Sequence, residues 1–81
     1  MPVVLRLEGY TFFFFSNEGA PREPAHIHVR RGTDVAKFWI EGDVRYASSS
    51  GFDARTINRL TRMAEAHRDE FERAWHEFFG G

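Results

Sequence analysis

Two histidines set two residues apart are the groups in this chain best suited to chemistry. They are His26 and His28, in the run Pro24-Ala25-His26-Ile27-His28-Val29-Arg30-Arg31. On a strand, residues two apart share a face, so the two rings lie a few ångströms from each other. A pair so placed can ligate a metal, or act as general base and general acid on one phosphate. A second run, Ala36-Lys37-Phe38-Trp39-Ile40-Glu41, alternates in the same way. Ile27, Val29, Phe38 and Ile40 point to one side, while His26, His28, Arg30, Lys37, Trp39 and Glu41 point to the other, the pattern of strands buried on one face. A solvated sheet face needs only Thr, Ser, Lys and Glu. Imidazoles, cations and an indole make this one a binding surface or a reactive one.

The metal reading needs a third ligand. Glu18, Glu23, Glu41 and His76 are the candidates, but their spacing selects none, and the chain has neither a His-Glu-x-x-His pair nor any cysteine. No metal and no other cofactor is therefore expected. A metal-independent, ribonuclease-like site is the reactive alternative. In it His26 and His28 carry the protons, Arg30 and Lys37 hold phosphate, and Trp39 stacks a base. A structural role is open as well, with both histidines hydrogen-bonding the loop at 17–24 and holding it down. Arg55, Arg59 and Arg62 form a further constellation, a narrow stripe on one helix face. Cations in a first turn oppose the helix dipole, and Arg55 repels Arg59 at i,i+4. That placement suits an anionic partner, or else a solvated face neutralised by Glu65 and sheet carboxylates.

These side chains need a scaffold, and 81 residues allow one domain. A chain this short buries only about 60–65% of its unfolded surface, and with no cysteine it has no disulfide staple. The composition and the absence of a signal-like or membrane-length apolar run suggest a cytoplasmic protein without a membrane partner. Net charge is −1, which gives no bulk attraction to nucleic acid, although ten of the eleven basic residues are Arg. Nine Phe, two Tyr and two Trp exceed what one small core absorbs, so part of the aromatic set is expected at a partner surface.

Val3–Leu7 and Tyr10–Ser16 read as a hairpin about Glu8-Gly9. In that register Val3, Leu5 and Leu7 share the core face with Tyr10, Phe12 and Phe14. Phe13 and Phe15 are left on the reverse face, exposed in a monomer. The His strand, the Lys37/Trp39 strand and a fifth short strand at 44–47 complete a sheet over residues 1–47. The serines at 48–50 fall in a flexible link at 48–52. From Asp53 onward Ile57, Leu60, Ala64, His67, Phe71, Trp75 and Phe78 step by three and four, the stripe of an amphipathic helix over 53–79. His67 lies within that stripe, as a core histidine. A single straight helix of that length would run about 40 Å, so a bend near His67–Asp69 is expected, or a reach onto a partner. Acids concentrate in the second half of the helical segment, a polarity that favours oriented docking. The fold class that results is α+β: a small antiparallel sheet of four to five strands, with one long or two short C-terminal helices packed on one sheet face.

Over nearly its whole length the chain resembles a family of short prokaryotic proteins known as domain-of-unknown-function family 4160. The resemblance is carried by Phe12–Phe15 with Ser16-Asn17-Glu18, by Glu23-Pro24-Ala25-His26-Ile27-His28-Val29, by Ala36–Glu41, by Gly51-Phe52 and by Ala74-Trp75-His76-Glu77-Phe78-Phe79. It departs from the family's Pro-Pro-His pattern at Ala25. The resemblance implies a small α+β protein, often encoded beside another tiny protein in arrangements like toxin–antitoxin pairs, and brings no catalytic residue with it. Two functions follow from residues and resemblance together. One is a toxin-like module that binds or cleaves RNA, with His26 and His28 reactive and Arg30, Lys37, Trp39, Arg55, Arg59 and Arg62 binding substrate. The other is a non-catalytic module, an antitoxin or adaptor, docking a small cognate protein encoded nearby through Phe13, Phe15 and Phe79. Either would work as a homodimer or a hetero-complex.

Overall fold

A five-stranded antiparallel meander is built in chain order and then covered by two helices, as the computed structural model describes over residues 2–16 and 23–80. The elements are β1 (Val3–Leu7), β2 (Tyr10–Phe13), β3 (His26–Arg31), β4 (Asp34–Trp39), β5 (Arg45–Ser50), α1 (Ala54–Ala66) and α2 (Arg68–Phe79). Every strand pairs with its neighbours in sequence. The α+β class and the covering of one sheet face agree with the sequence.

The first hairpin turns where expected. Glu8 and Gly9 both have positive φ, 54° and 86°, the conformation whose twist matches the flanking strands. Its register is not the one read from alternation. Leu7 opposes Tyr10 and Leu5 opposes Phe12, but a bulge then places Val3 opposite Phe13. Val4 consequently packs on the core, whereas Val3 is exposed. Strand β2 also ends at Phe13 rather than Ser16.

The core lies between the sheet and the helices. Phe12, Ile27, Val29, Phe38 and Ile40 are wholly buried against Leu60, Ala64 and Phe71, with Trp75 all but buried beside them. Asp53 starts α1 as anticipated, its Oδ1 accepting the Thr56 N–H at 2.8 Å. Phe52, just before it, packs at the core margin. The helical segment breaks at His67, whose φ of −112° and ψ of 13° leave the helical region. The molecule is 33 Å in its longest dimension, too short for the roughly 40 Å helix an unbroken segment would need. Arg68 secures the junction. Its Nε donates to the carbonyls of Ile40 and Gly42 on the β4–β5 connection, and its guanidinium pairs with Asp69 and Glu72. His67 is half-buried, its Nδ1 3.0 Å from Glu70 Oε1, so it is a junction residue and not a core histidine. Beyond the break the helix presents Phe71, Trp75 and Phe79 inward and leaves Phe78 exposed. Gly80, in left-handed conformation, ends it with a bond to His76 O.

The serine run is strand, not linker. Ser48, Ser49 and Ser50 oppose Lys37, Ala36 and Val35. The strand β5 thus begins later and ends later than its apolar residues suggest. Serine carries little strand propensity, and pairing with β4 decides the matter. Gly51 follows at φ 98°, where an added Cβ would strike the Asp34 carboxylate and approach its Cα to 3.2 Å.

Two outcomes test this construction. Gly51→Ala should lower stability by more than about 1 kcal/mol, since both backbone conformation and space oppose it, and a urea midpoint reports the loss. The Asp53 carboxyl is held below the ordinary aspartate range by its hydrogen bonds from Thr56. Its contribution is therefore present above the unfolded-state value and disappears as pH falls through the lower folded-state value. Asn still caps but does not titrate there. Between about pH 6 and pH 2, the melting temperature of Asp53→Asn should fall less than that of the wild type.

Candidate functional site

The face of the sheet turned away from the helices carries the residues singled out for chemistry. Cross-strand pairing sets them side by side: His28 opposes Phe13 on β2 and Lys37 on β4, His26 opposes Trp39, and Arg30 opposes Thr11 and Val35. Opposed residues share a face, so alternation read from two strands extends across four. The outward strand positions are Val3, Arg6, Thr11, Phe13, His26, His28, Arg30, Val35, Lys37, Trp39, Ser48 and Ser50, to which the register adds Arg45 opposite Trp39.

His26 is enclosed. It is 0% exposed. Its Nδ1–H donates to the Pro24 carbonyl at 2.9 Å. Its ring centroid lies 4.8 Å from that of Trp75, 5.2 Å from His28 and 5.5 Å from Trp39. The carbonyl fixes the proton on Nδ1, and the rings fix the plane. Of the chemistry read from the sequence, the loop-holding role is the one this geometry provides at His26, through Pro24. The remainder of that loop, 17–22, and with it Glu18, lies outside the described residues.

His28 is half-buried, its ring stacked on Phe13 at 5.5 Å and met edge-on by Phe15 at 4.6 Å. Phe13 was expected to be exposed but is only 3% accessible. Phe15, His28 and the Arg30 guanidinium 5.4 Å from its centroid close over it. Phe15, past the end of β2, is 45% exposed. Lys37 has its ammonium 4.4 Å from the Trp39 centroid and 3.2 Å from Glu23 Oε1. Cations on this face therefore lie over rings, an arrangement worth about 0.5–1 kcal/mol each at exposed sites.

Between these groups is a cleft of about 280 Å³ lined by Phe13, Phe15, His28, Val35, Lys37 and Ser48–Ser50. The serines belong to it because β5 is longer than the sequence indicates. No sequence signal marked them. The cleft size is near the lower end for small-ligand pockets, about 300–1,000 Å³, and suits one apolar side chain.

The other designated residues lie elsewhere. Arg55, Arg59 and Arg62 are exposed on α1, in the layer on the opposite side of the sheet, and Arg59 pairs with Glu8 in the first turn. They do not join the histidine face. Phe79 is half-buried, its ring 4.2 Å from Trp75 and 5.8 Å from Phe14. It packs at the margin of the core. Among the described residues no group of three or more His, Cys, Asp or Glu is placed to hold a metal. No described helix is long and apolar enough to cross a membrane.

Comparison with known proteins returns no match among curated proteins and none among solved structures. It does return one family model, Domain of unknown function (DUF4160), aligned over residues 9–76. That span takes in β2 to β5, with the histidine strand and the cleft, all of α1, and α2 as far as His76, and the chain belongs to the DUF4160 family.

Proposed function

We propose that this protein is a non-catalytic interaction module of a two-gene, toxin–antitoxin-like pair, docking a small cognate protein on the open face of its sheet. One observation carries the choice over an RNA-cleaving site: His26 is wholly buried and its Nδ1–H is committed to Pro24 O. A general acid or base must come within hydrogen-bond reach of the reacting group, and a ring enclosed by Trp75, Trp39 and His28 does not. With His26 structural, the face offers an apolar cleft, an exposed Phe15 and cations already seated on rings. These are features of recognition.

The structural role of His26 has its own test. His26→Ala should cost on the order of 2–4 kcal/mol, from the cavity beside Trp75 and the unpaired Pro24 carbonyl. His28→Ala, at a half-buried site, should cost about 1 kcal/mol. Urea unfolding of the two variants decides it. Equal stability of His26→Ala and the wild type would remove the argument.

This reading requires a small cognate protein encoded in an adjacent gene, and function is tested by mixing that product with this protein and following the mixture by titration calorimetry. Phe15→Asp should weaken the complex by about tenfold or more, with circular dichroism unchanged because Phe15 is exposed and outside the strands. Cleavage of single-stranded RNA by the purified protein, lost in His28→Ala, would overturn the reading. So would a complex indifferent to Phe15→Asp.

A further inference from the structure

The edge at β5 is built differently from the rest of the sheet. In the order β1-β2-β3-β4-β5 it has a neighbour on one side only, so backbone N–H and C=O groups along its outer side face away from the sheet. Natural edges are usually protected by charge, proline or a bulge. Here the bulge falls between the partners of Lys37 and Phe38, and Ser48, Ser49 and Ser50 continue in regular register with neither charge nor proline. The side chains of Ser48 and Ser50 are the smallest on the open face. Phe13, Phe15 and His28 stand above them, and the 280 Å³ cleft is the volume that Ser48 and Ser50 leave unfilled.

Charge narrows the occupant. No outward strand position is Asp or Glu, whereas Arg6, Arg30, Lys37 and Arg45 are cationic, with Glu23 set against Lys37 from the preceding segment. The opposite edge differs. β1 is preceded by Pro2, carries its own bulge, and borders a cleft whose rim mixes Glu70 and Glu77 with Arg73 of α2. At β5, Arg45 on the edge and Lys37 beside it favour an anionic strand. A run of nucleotides would need several accessible rings. Phe13 is buried and Trp39 lies under Lys37, which leaves Phe15.

We infer that β5 is a strand-docking edge: an extended partner segment of alternating character adds to Arg45–Ser50 as a sixth strand and lays apolar and acidic side chains across the open face. The apolar ones enter the cleft over Ser48 and Ser50, and the acidic ones meet Lys37 and Arg45. Main-chain pairing supplies affinity and the cleft supplies selectivity, as in other strand additions. This deepens the proposed docking function and rests on it.

The probe is a capped octapeptide, Ser-Leu-Ser-Glu-Ser-Leu-Ser-Glu, titrated into isotopically labelled protein at low salt and followed by backbone amide shifts. Shifts should concentrate on 45–50 and on His28 and Phe15. The version with Lys in place of Glu should bind at least about tenfold more weakly, and raising salt should narrow that gap. Backbone N-methylation of one alternate set of peptide residues should abolish binding while the other set tolerates it, a signature that side-chain docking lacks. Ser48→Phe, at an exposed position, should keep the fold and lose the peptide. No binding by either peptide, shifts confined to β1, or an indifferent response to N-methylation would overturn the inference. Single-stranded RNA binding that survives Ser48→Phe would do the same. If Phe15→Asp abolishes the complex with the adjacent gene's product while Ser48→Phe does not, docking on the face stands and strand addition falls. If neither variant weakens that complex, the broader reading falls as well.

Discussion

Two helices of 13 and 12 residues are enough to cover one face of a five-stranded sheet and no more. At 1.5 Å per residue each helix runs about 18–20 Å, while five strands about 4.8 Å apart span a similar width. That limit governs the rest of the molecule. The covered face takes Phe12, Ile27, Val29 and Phe38 into a conventional core. The uncovered face cannot be abandoned to bland polar residues if it is to bind anything, and cannot be left as bare phenylalanine in water. It is resolved by stacking. Arg30 lies over Phe13, Lys37 over Trp39, and His28 between two phenylalanines. Each arrangement removes apolar ring surface from water while keeping a polar atom at the rim.

His26 joins the two solutions. By register it belongs to the open face, yet its ring touches Trp75 of α2 as well as Trp39 and His28. One imidazole thus links the helix layer, the outer aromatic group and, through Pro24, the segment that leads into β3. A phenylalanine would fill the same space but leave the Pro24 carbonyl without that donor. The residue type that looks catalytic in a sequence is here also the type that can be both ring and donor in a buried site.

Much of the architecture was legible because period-two alternation survives wherever one face is buried. It placed β3 and β4, sorted inward from outward residues, and located the helical segment with its Asp53 cap. What was not legible depends on neighbours in space. Phe13 and Phe15 share a parity but not an environment, since Phe13 sits within the pairing of β1, β2 and β3 whereas Phe15 lies past its end. Ser48–Ser50 carry no strand signal, and β4 recruits them. The helical stripe ran smoothly through His67 in sequence, but the turn held by Arg68 breaks it and exchanges Phe78 for Phe79 at the core. Arg55, Arg59 and Arg62 were grouped with the histidines by chemistry alone, and the sheet lies between the two sets.

A net charge of −1 conceals an uneven one. The helices are balanced, with Glu65, Asp69, Glu70, Glu72 and Glu77 against Arg55, Arg59, Arg62, Arg68 and Arg73. Turns or caps hold Glu8, Glu41, Asp43 and Asp53, while the outward strand positions hold cations and no carboxylate. The open face is therefore more cationic than the chain as a whole. The Debye length at physiological salt is roughly 8 Å, so a partner close to that face senses its charge and not the average. Overall neutrality keeps the protein from binding polyanions indiscriminately, and the local charge orients whatever approaches the open face.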